Sequence, residues 1–334
     1  MKTKIGILGM GHFGTAMMCY LNNNQENNCQ LMGFDHKQNL CHFLNYYHYH
    51  PHFFQNSPFN KNIIFTTSYQ KLISQNNIIV LAIASQVLPL VLKEIKPFIK
   101  RKIIFISLIK ALNNHTGETP SQLIKKIYPH SPYVQTAVLV GGTMANELIE
   151  DKILGMNLAC QDKQTGQLLK QLLHSRHLKI HQTNDVLGCE YASCFKNIIS
   201  VFAGILKGMK FPYGSITYVI SQMAGEIKNI CLEQLKCQKE TFDIDSQVFS
   251  NDLWMSATSL SRNCQFGLLV GQGLSPQKAL QQLQQQNQTV ESINTLKTMQ
   301  KIVDLKNYPF TNFLTKIIDE NLDLNSIKAF LYQL

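Results

Sequence analysis

Short apolar runs alternate with amphipathic stretches over the first half of the chain, and this alternation predicts its elements. KIGILG (4–9), CQLMGFD (29–35), NIIVLAI (77–83), KIIFISL (102–108) and YVQTAVLV (133–140) read as strands. The middle ones are almost wholly apolar, as strands covered on both faces of a parallel sheet must be. Helical spacing falls between them in TAMMCYLNNN (15–24), LPLVLKEIKPFI (88–99) and PSQLIKKIY (120–128), and NLACQ (157–161), LLKQLLHS (168–175) and HLKIHQT (177–183) add a strand, a helix and a strand. The predicted class is α/β: an N-terminal Rossmann-type doubly wound sheet over residues 1–184. From Asp185 onward long amphipathic stretches take over (185–208, 215–237, 275–285, 290–304, 310–319, 324–333), predicting a mainly α-helical C-terminal domain over 185–334.

One of these stretches, NDVLGCEYASCFKNIISVFAG (184–204), carries a single lysine, Lys196, in the middle of a helical run of mostly apolar and small residues. At 3.6 residues per turn Leu187, Tyr191, Phe195, Ile198, Phe202 and Ile205 tend to one side. Gly188, Ala192, Ser193, Lys196, Ser200 and Ala203 tend to the other. Small residues suggest a face that something approaches closely, while lysines in general are exposed. The stretch alone leaves both readings open.

Composition narrows the partners. The 334 residues can bury two cores, and no run of about 18 apolar residues suggests a membrane span. The glycine-broken start, MKTKIGILGMGHFG, reads as a strand entering a turn and not as a signal peptide. The nine scattered cysteines form no C-x-x-C pair, which argues for reduced thiols and a cytoplasmic location. HYHPH (48–52) gathers imidazoles, but Pro51 breaks the register and no cysteine or carboxylate adjoins, so it reads as a polar surface loop and no metal site is expected. NNNQENN (22–28) and QQLQQQNQ (281–288) read as polar loop and helix surface. The net charge of +10 suits an anionic partner but is spread along the chain without an aromatic-interleaved basic stripe. A small phosphorylated molecule is the economical partner; nucleic acid and stable membrane insertion are not expected.

The strongest local motif is GMGHFG, with Gly9, Gly11 and Gly14 between an apolar strand and a helix. The first permits a tight turn, the second lets backbone approach a pyrophosphate, and the third lets helix pack on strand. The helix N-terminus then offers free N–H groups to the phosphates. Asp35, ending the next strand, suits the ribose 2′-hydroxyl of NAD, while His36 and Lys37 soften its exclusion of NADP. The predicted cofactor is therefore NAD or NADP. Hydride transfer to or from a secondary alcohol needs a proton donor and acceptor, a task open to Lys196. Lys110 ends a strand at the carboxyl edge of the sheet, and a second cation there would favour the neutral form of the first. Ser261, Arg262 and Asn263 combine a guanidinium fork with two hydrogen-bonding side chains, a set that suits a phosphate dianion.

Together GMGHFG, ISLIKAL (106–112), GGTMANE (141–147), DVLGCEYASCFKNIISVFAG (185–204), NDL (251–253), SRNCQFGLLVGQG (261–273) and VESINTLKTM (290–299) resemble, in order and spacing, the motifs of bacterial NAD(P)-dependent glycerol-3-phosphate dehydrogenase. The resemblance covers almost the whole chain. It implies a Rossmann domain and a helical domain that interconvert sn-glycerol 3-phosphate and dihydroxyacetone phosphate for phospholipid synthesis, and a homodimer. Carried over by position, it implies Lys196 as general acid/base and Lys110, Gly141, Thr143, Asp252, Ser261, Arg262 and Asn263 as substrate contacts. His12, Phe13, Lys110, Ala145, Arg262 and Glu291 join the glycines as cofactor contacts.

The chain departs from that pattern in places. The family's T-K-G is I-K-A here, its G-P-S-F-A is Gly141 to Ala145 without the proline, and its G-L-A-G-x-G-D is SQVFSND. The spacing from Asp252 to Arg262 is one residue shorter than usual, and the arginine of I-T-R-G has no counterpart in VISQMAGE. Such changes fit a slow or retuned enzyme. Two other functions match the same features: a dehydrogenase for another small anionic hydroxy compound, and a non-catalytic dinucleotide-binding paralogue.

Overall fold

The computed structural model of the protein describes residues 3–24, 29–150, 152–259, 261–286, 288–319 and 325–333. Residues 25–28 of the asparagine-rich patch, Asn287 of the glutamine-rich one and Leu324 of the last expected helix lie outside the described residues. The chain forms two compact units, Met1–Lys110 with Glu118–Glu190, and Ala111–Gly117 with Tyr191–Leu334.

The first unit runs β1 (Thr3–Leu8), α1 (His12–Asn23), β2 (Cys29–Phe34), α2 (Gln38–Tyr47), β3 (Ile64–Thr66), α3 (Tyr69–Gln75), β4 (Ile78–Leu81), α4 (Leu88–Ile95), β5 (Ile103–Ser107), α5 (Pro120–Ile127), β6 (Val134–Val140), α6 (Ala145–Ile149), β7 (Leu154–Cys160), α7 (Lys163–Leu173) and β8 (Leu178–Thr183). The strands form one sheet in the order β3-β2-β1-β4-β5-β6-β7-β8. Strands β1 to β6 are parallel, with Ile7 opposite Gly33 on one side and Val80 on the other. Ile5, Ile7, Ile78, Ile79 and Phe105 are buried, as the unbroken apolar runs required. The sequence direction reverses between β1 and β4, the position where ligands bind at the carboxyl ends of such sheets.

Strand β7 pairs antiparallel to β6, with Val140 opposite Asn157, and β8 runs parallel to β7. A parallel return needs a crossover helix, and the link from β6 to β7 holds only the five-residue α6. The three-residue β3 and the helices α2, α3 and α6 carry too little periodicity to be anticipated from sequence. The HYHPH loop is not a simple surface loop: His50 is buried, its Nδ1 accepting the His52 and Phe53 N–H groups.

The second unit is helical: α8 (Val186–Gly208), α9 (Tyr213–Glu233), α10 (Asp252–Thr258), α11 (Arg262–Gly271), α12 (Pro276–Gln285), α13 (Ser292–Ile302), α14 (Pro309–Asp319) and α15 (Ser326–Gln333). Helix α8, whose first residues belong to the first unit, is buried on every side from Gly188 to Leu206, and within that stretch only Glu190 and Lys196 are charged. Helices α10 and α11 were not anticipated. The first is short and grows out of a π-helical turn, Gln247–Asn251, so SQVFSND has a helical path where the family pattern has glycines. The second presents glycines, not leucines, to its neighbour. A Cβ on Gly204 would stand 2.1 Å from the Cys264 carbonyl oxygen, and one on Gly267 would stand 2.0 Å from that of Val201. Backbones of α8 and α11 are in direct contact.

Candidate active site

The glycine loop of the first unit behaves as three distinct positions. Gly9 has φ +108°, a conformation that side chains strain, and a Cβ there would meet the Ala82 carbonyl oxygen at 2.5 Å. A Cβ on Gly14 would stand 1.9 Å from the Gly9 carbonyl oxygen, so α1 sits directly on the turn. Gly11 differs: its Cβ would have nothing within 4 Å, which leaves room beside the backbone. Gly11 is the N-cap of α1, with no side-chain cap and no acidic residue in the first turn. No side chain caps the N–H groups there, which suits an anion site.

Asp35 braces this loop. Its Oδ2 accepts the Met10 N–H at 3.2 Å and its Oδ1 the Lys37 N–H at 3.0 Å, with His36 Nδ1 at 3.4 Å and the His36 ring exposed. Each carboxylate oxygen keeps a second lone pair for a further donor. His12 is exposed and stacks on Phe54, with Phe53 edge-on, at centroid distances of 5.0 and 5.1 Å. These two phenylalanines were missed: they follow the histidine loop at no telling spacing. Phe13 packs on the core of this unit, and Ala145 is buried within it.

At the ends of β5 and β6, Lys110 Nζ donates to the Gly141 carbonyl at 2.6 Å. Thr143 closes a turn on that same carbonyl, and its buried hydroxyl has no hydrogen-bond partner among the described residues. An unpaired buried hydroxyl costs about 1–3 kcal/mol, which a ligand group could relieve.

In the second unit Lys196 is 5 % exposed, so the ordinary surface lysine is excluded. Its Nζ donates to Asp252 Oδ1 and, at 2.6 Å, to Ser256 Oγ. Asp252 is the first residue of α10 and Ser256 lies one turn on, so both reach the same ammonium. The sequence reading looked to a neighbouring cation to tune this lysine; the structure sets a buried carboxylate against it. Ser256 was not anticipated, although the i, i+4 spacing from Asp252 is its signal.

Ser261 caps α11 by accepting the Cys264 N–H, and its Oγ donates to the Ser256 carbonyl, so this hydroxyl is engaged within the unit. Arg262 opens α11 and is exposed. Asn263 Oδ1 accepts the Ser292 N–H at 3.3 Å, next to Glu291, the N-cap of α13. Arg262, Asn263 and Glu291 are thus gathered at two joined helix starts.

One further carboxyl lies on α8. Glu190 is fully buried and accepts both the N–H and the hydroxyl of Ser121 at the start of α5. Burial pushes it up to about 7, against the lowering effect of the Ser121 and Thr119 hydrogen bonds. Among the described residues no group of three or more His, Cys, Asp or Glu could hold a metal, and no helix is long and apolar enough to cross a membrane.

Known proteins share this organisation. Residues 4–166 match the N-terminal family model of NAD-dependent glycerol-3-phosphate dehydrogenase, and residues 185–329 match the C-terminal one. A glycerol-3-phosphate dehydrogenase [NAD(P)+] of Staphylococcus aureus (strain USA300) is 28 % identical over 325 residues, covering 96 % of this chain and 95 % of that protein. Two solved structures share the fold. Glycerol-3-phosphate dehydrogenase from Coxiella burnetii has a TM-score of 0.84 at 21 % identity, covering 99 % of both chains. The Plasmodium falciparum enzyme has a TM-score of 0.88 at 20 % identity, covering 98 % of this chain and 95 % of its own. With matches across both units, the chain belongs to the NAD-dependent glycerol-3-phosphate dehydrogenase family.

Proposed function

We propose that this chain interconverts sn-glycerol 3-phosphate and dihydroxyacetone phosphate by hydride transfer with NAD or NADP, supplying glycerol 3-phosphate for phospholipid synthesis. The buried cluster of Lys196, Asp252 and Ser256 carries the reading: a proton-bearing nitrogen withdrawn from water and held by two oxygens. A nicotinamide, when bound, supplies the hydride to the carbonyl carbon or accepts it from the carbinol carbon. Lys196 Nζ gives a proton to the carbonyl oxygen in reduction and takes the hydroxyl proton in oxidation. Asp252 balances the ammonium charge, and Ser256 helps to hold its direction.

Residues 1–184 form the cofactor domain in this proposal, and residues 185–334 the substrate domain. Gly9, Gly11, Gly14, His12 and Phe13 hold the dinucleotide, with the open space at Gly11 and the uncapped start of α1 facing its diphosphate. Asp35 and His36 meet the adenosine ribose; Ala145 and Glu291 complete the cofactor set. Arg262 and Asn263 grip the substrate phosphate, with Lys110, Gly141, Thr143 and Ser261 as further contacts. The enzyme works in the cytoplasm, which suits nine free cysteines, and as a homodimer by analogy with the family.

The purified protein is expected to oxidise NADH or NADPH when given dihydroxyacetone phosphate, and Lys196→Ala to lower kcat by about 10²–10⁴-fold with cofactor affinity retained. Turnover at the wild-type rate in that variant refutes the assignment of Lys196.

A further inference from the structure

Lys207 lies about three helical turns beyond Lys196 on α8 and has no part in the proposed chemistry. Its Nζ donates to the carbonyl oxygens of Ala257 at 2.7 Å and Thr258 at 3.3 Å, and stands 3.5 Å from Cys264 Sγ. Ala257 and Thr258 end α10, whereas Cys264 belongs to the first turn of α11. One ammonium therefore joins the end of one helix to the start of the next. The last carbonyls of a helix lack intrahelical donors and carry the negative end of its dipole, so a cation is well matched to them.

Two other features fix this junction. Ser261 Oγ donates to the Ser256 carbonyl at 2.7 Å and accepts the Cys264 N–H at 3.2 Å, a second tie between the same helices. Glycines interlock α8 with α11: besides Gly204 and Gly267, a Cβ on Gly208 would stand 2.3 Å from the Leu268 carbonyl oxygen, and one on Gly271 2.1 Å from that of Ile205. With α8 and α11 in backbone contact, the reach of Lys207 to α10 is set. Helix α10 is held at its start by Lys196 and at its end by Lys207, two lysines of one helix. Only three residues, 259–261, separate α10 from α11, so there is little slack to absorb a shift.

We infer that Lys207 is a positioning residue for the reaction: by holding the end of α10 against the first turn of α11, it sets where Arg262 and Asn263 stand relative to Lys196. The inference rests on the proposed function. Loss of Lys207 loosens the first turn of α11 and with it the grip on phosphate, while Lys196 keeps Asp252 and Ser256.

The test compares Lys207→Met, Lys207→Arg, Arg262→Ala and Lys207→Met with Arg262→Ala. It uses steady-state kinetics on dihydroxyacetone phosphate and on unphosphorylated dihydroxyacetone, with calorimetric binding of sn-glycerol 3-phosphate. Lys207→Met is expected to raise KM for dihydroxyacetone phosphate about 3- to 10-fold and to weaken glycerol 3-phosphate binding equally, as a small displacement of one anchoring group does. It should leave kcat within about twofold and the reaction of dihydroxyacetone unchanged, because only the phosphate grip is touched. Lys207→Arg should restore most of the loss, and Lys207→Met should add nothing in the Arg262→Ala background. Unaltered KM and binding in Lys207→Met, effects that add to those of Arg262→Ala, or equal loss on both substrates overturns the inference. If the wild type binds glycerol 3-phosphate through Arg262 and Lys207 but turns over no dihydroxyacetone phosphate, the proposed function fails and the positioning role stands. If the wild type neither binds nor reacts, both fail.

Discussion

Lys196 on α8 and Asp252 on α10 form an ion pair whose side chains are 6 % and 0 % exposed. Neither charge has water to fall back on, so removing one leaves the other stranded at a cost of about 3–5 kcal/mol, whereas replacing both by apolar groups is far less costly. Asp252→Ala is therefore expected to lose about that much stability in urea unfolding. Lys196→Met with Asp252→Leu should recover most of it while remaining inactive. A double variant less stable than the sum of the two singles contradicts this account of the pair.

Gly11 and Gly14 separate cofactor binding from folding. Gly14→Ala forces a methyl group to within 1.9 Å of the Gly9 carbonyl oxygen, so this variant should fold poorly. Gly11→Ala meets no protein atom within 4 Å and should keep its thermal midpoint, yet lose roughly 10-fold or more in NADH affinity as its methyl intrudes on the diphosphate. Fluorescence titration with NADH and a thermal melt of each variant check both halves. Unchanged NADH affinity in Gly11→Ala argues that the dinucleotide lies elsewhere.

Asp35 presents a negative charge where the adenosine ribose is proposed to lie, and it holds the Met10 N–H at the same time. Asp35→Asn keeps an acceptor for Met10 and removes only the charge. The ratio of kcat/KM for NADH over NADPH should fall by about 10-fold, equivalent to about 1.4 kcal/mol, the scale of one charge-assisted hydrogen bond. An unmoved ratio means that Asp35 does not read the ribose.

Glu190 makes stability depend on pH. Burial raises its carboxyl from 4.5 to about 7, so the folded protein holds this proton more tightly than the unfolded chain does. Its favourable contribution is complete below about pH 4.5 and is lost as pH rises to about 7, by roughly 3 kcal/mol. His50 acts oppositely: burial, helped by the charge of His52, pushes its imidazole down to about 4, so its contribution is present above pH 6.5 and lost on acidification. The net profile mixes the two, but the difference between wild type and Glu190→Gln isolates the carboxyl. Chemical denaturation of both from pH 5 to pH 8 should show the wild type losing stability relative to the variant. A constant difference refutes the raised carboxyl.

Much of the first unit was legible because parallel strands are covered on both faces and appear as unbroken apolar runs, as NIIVLAI and KIIFISL do. The glycine loop was legible for a related reason: Gly14 is demanded by the Gly9 carbonyl a few residues away, and Gly9 by its own positive φ. What escaped was short or long-range. The three residues of β3 span too few positions to show a period, α11 packs through glycines that mimic a turn signal, and Phe53 and Phe54 meet His12 only through a looped path.

By itself the sequence determined most of the strands and the long helices, the loop able to accept a dinucleotide phosphate, and Lys196 as a lysine set among small residues. These are local matters, set by periodicity, by backbone freedom at glycine and by the small residues that flank Lys196 on α8. Only the tertiary structure decided that β7 and β8 run against β6, that Asp252 and Ser256 are the partners of Lys196, and that Ser261 is engaged in capping and tying helices. Each depends on groups that the chain brings together from a distance: Lys196 and Asp252 meet because α10 packs beside α8. No pattern of neighbours in sequence encodes which carboxylate an isolated buried ammonium will find.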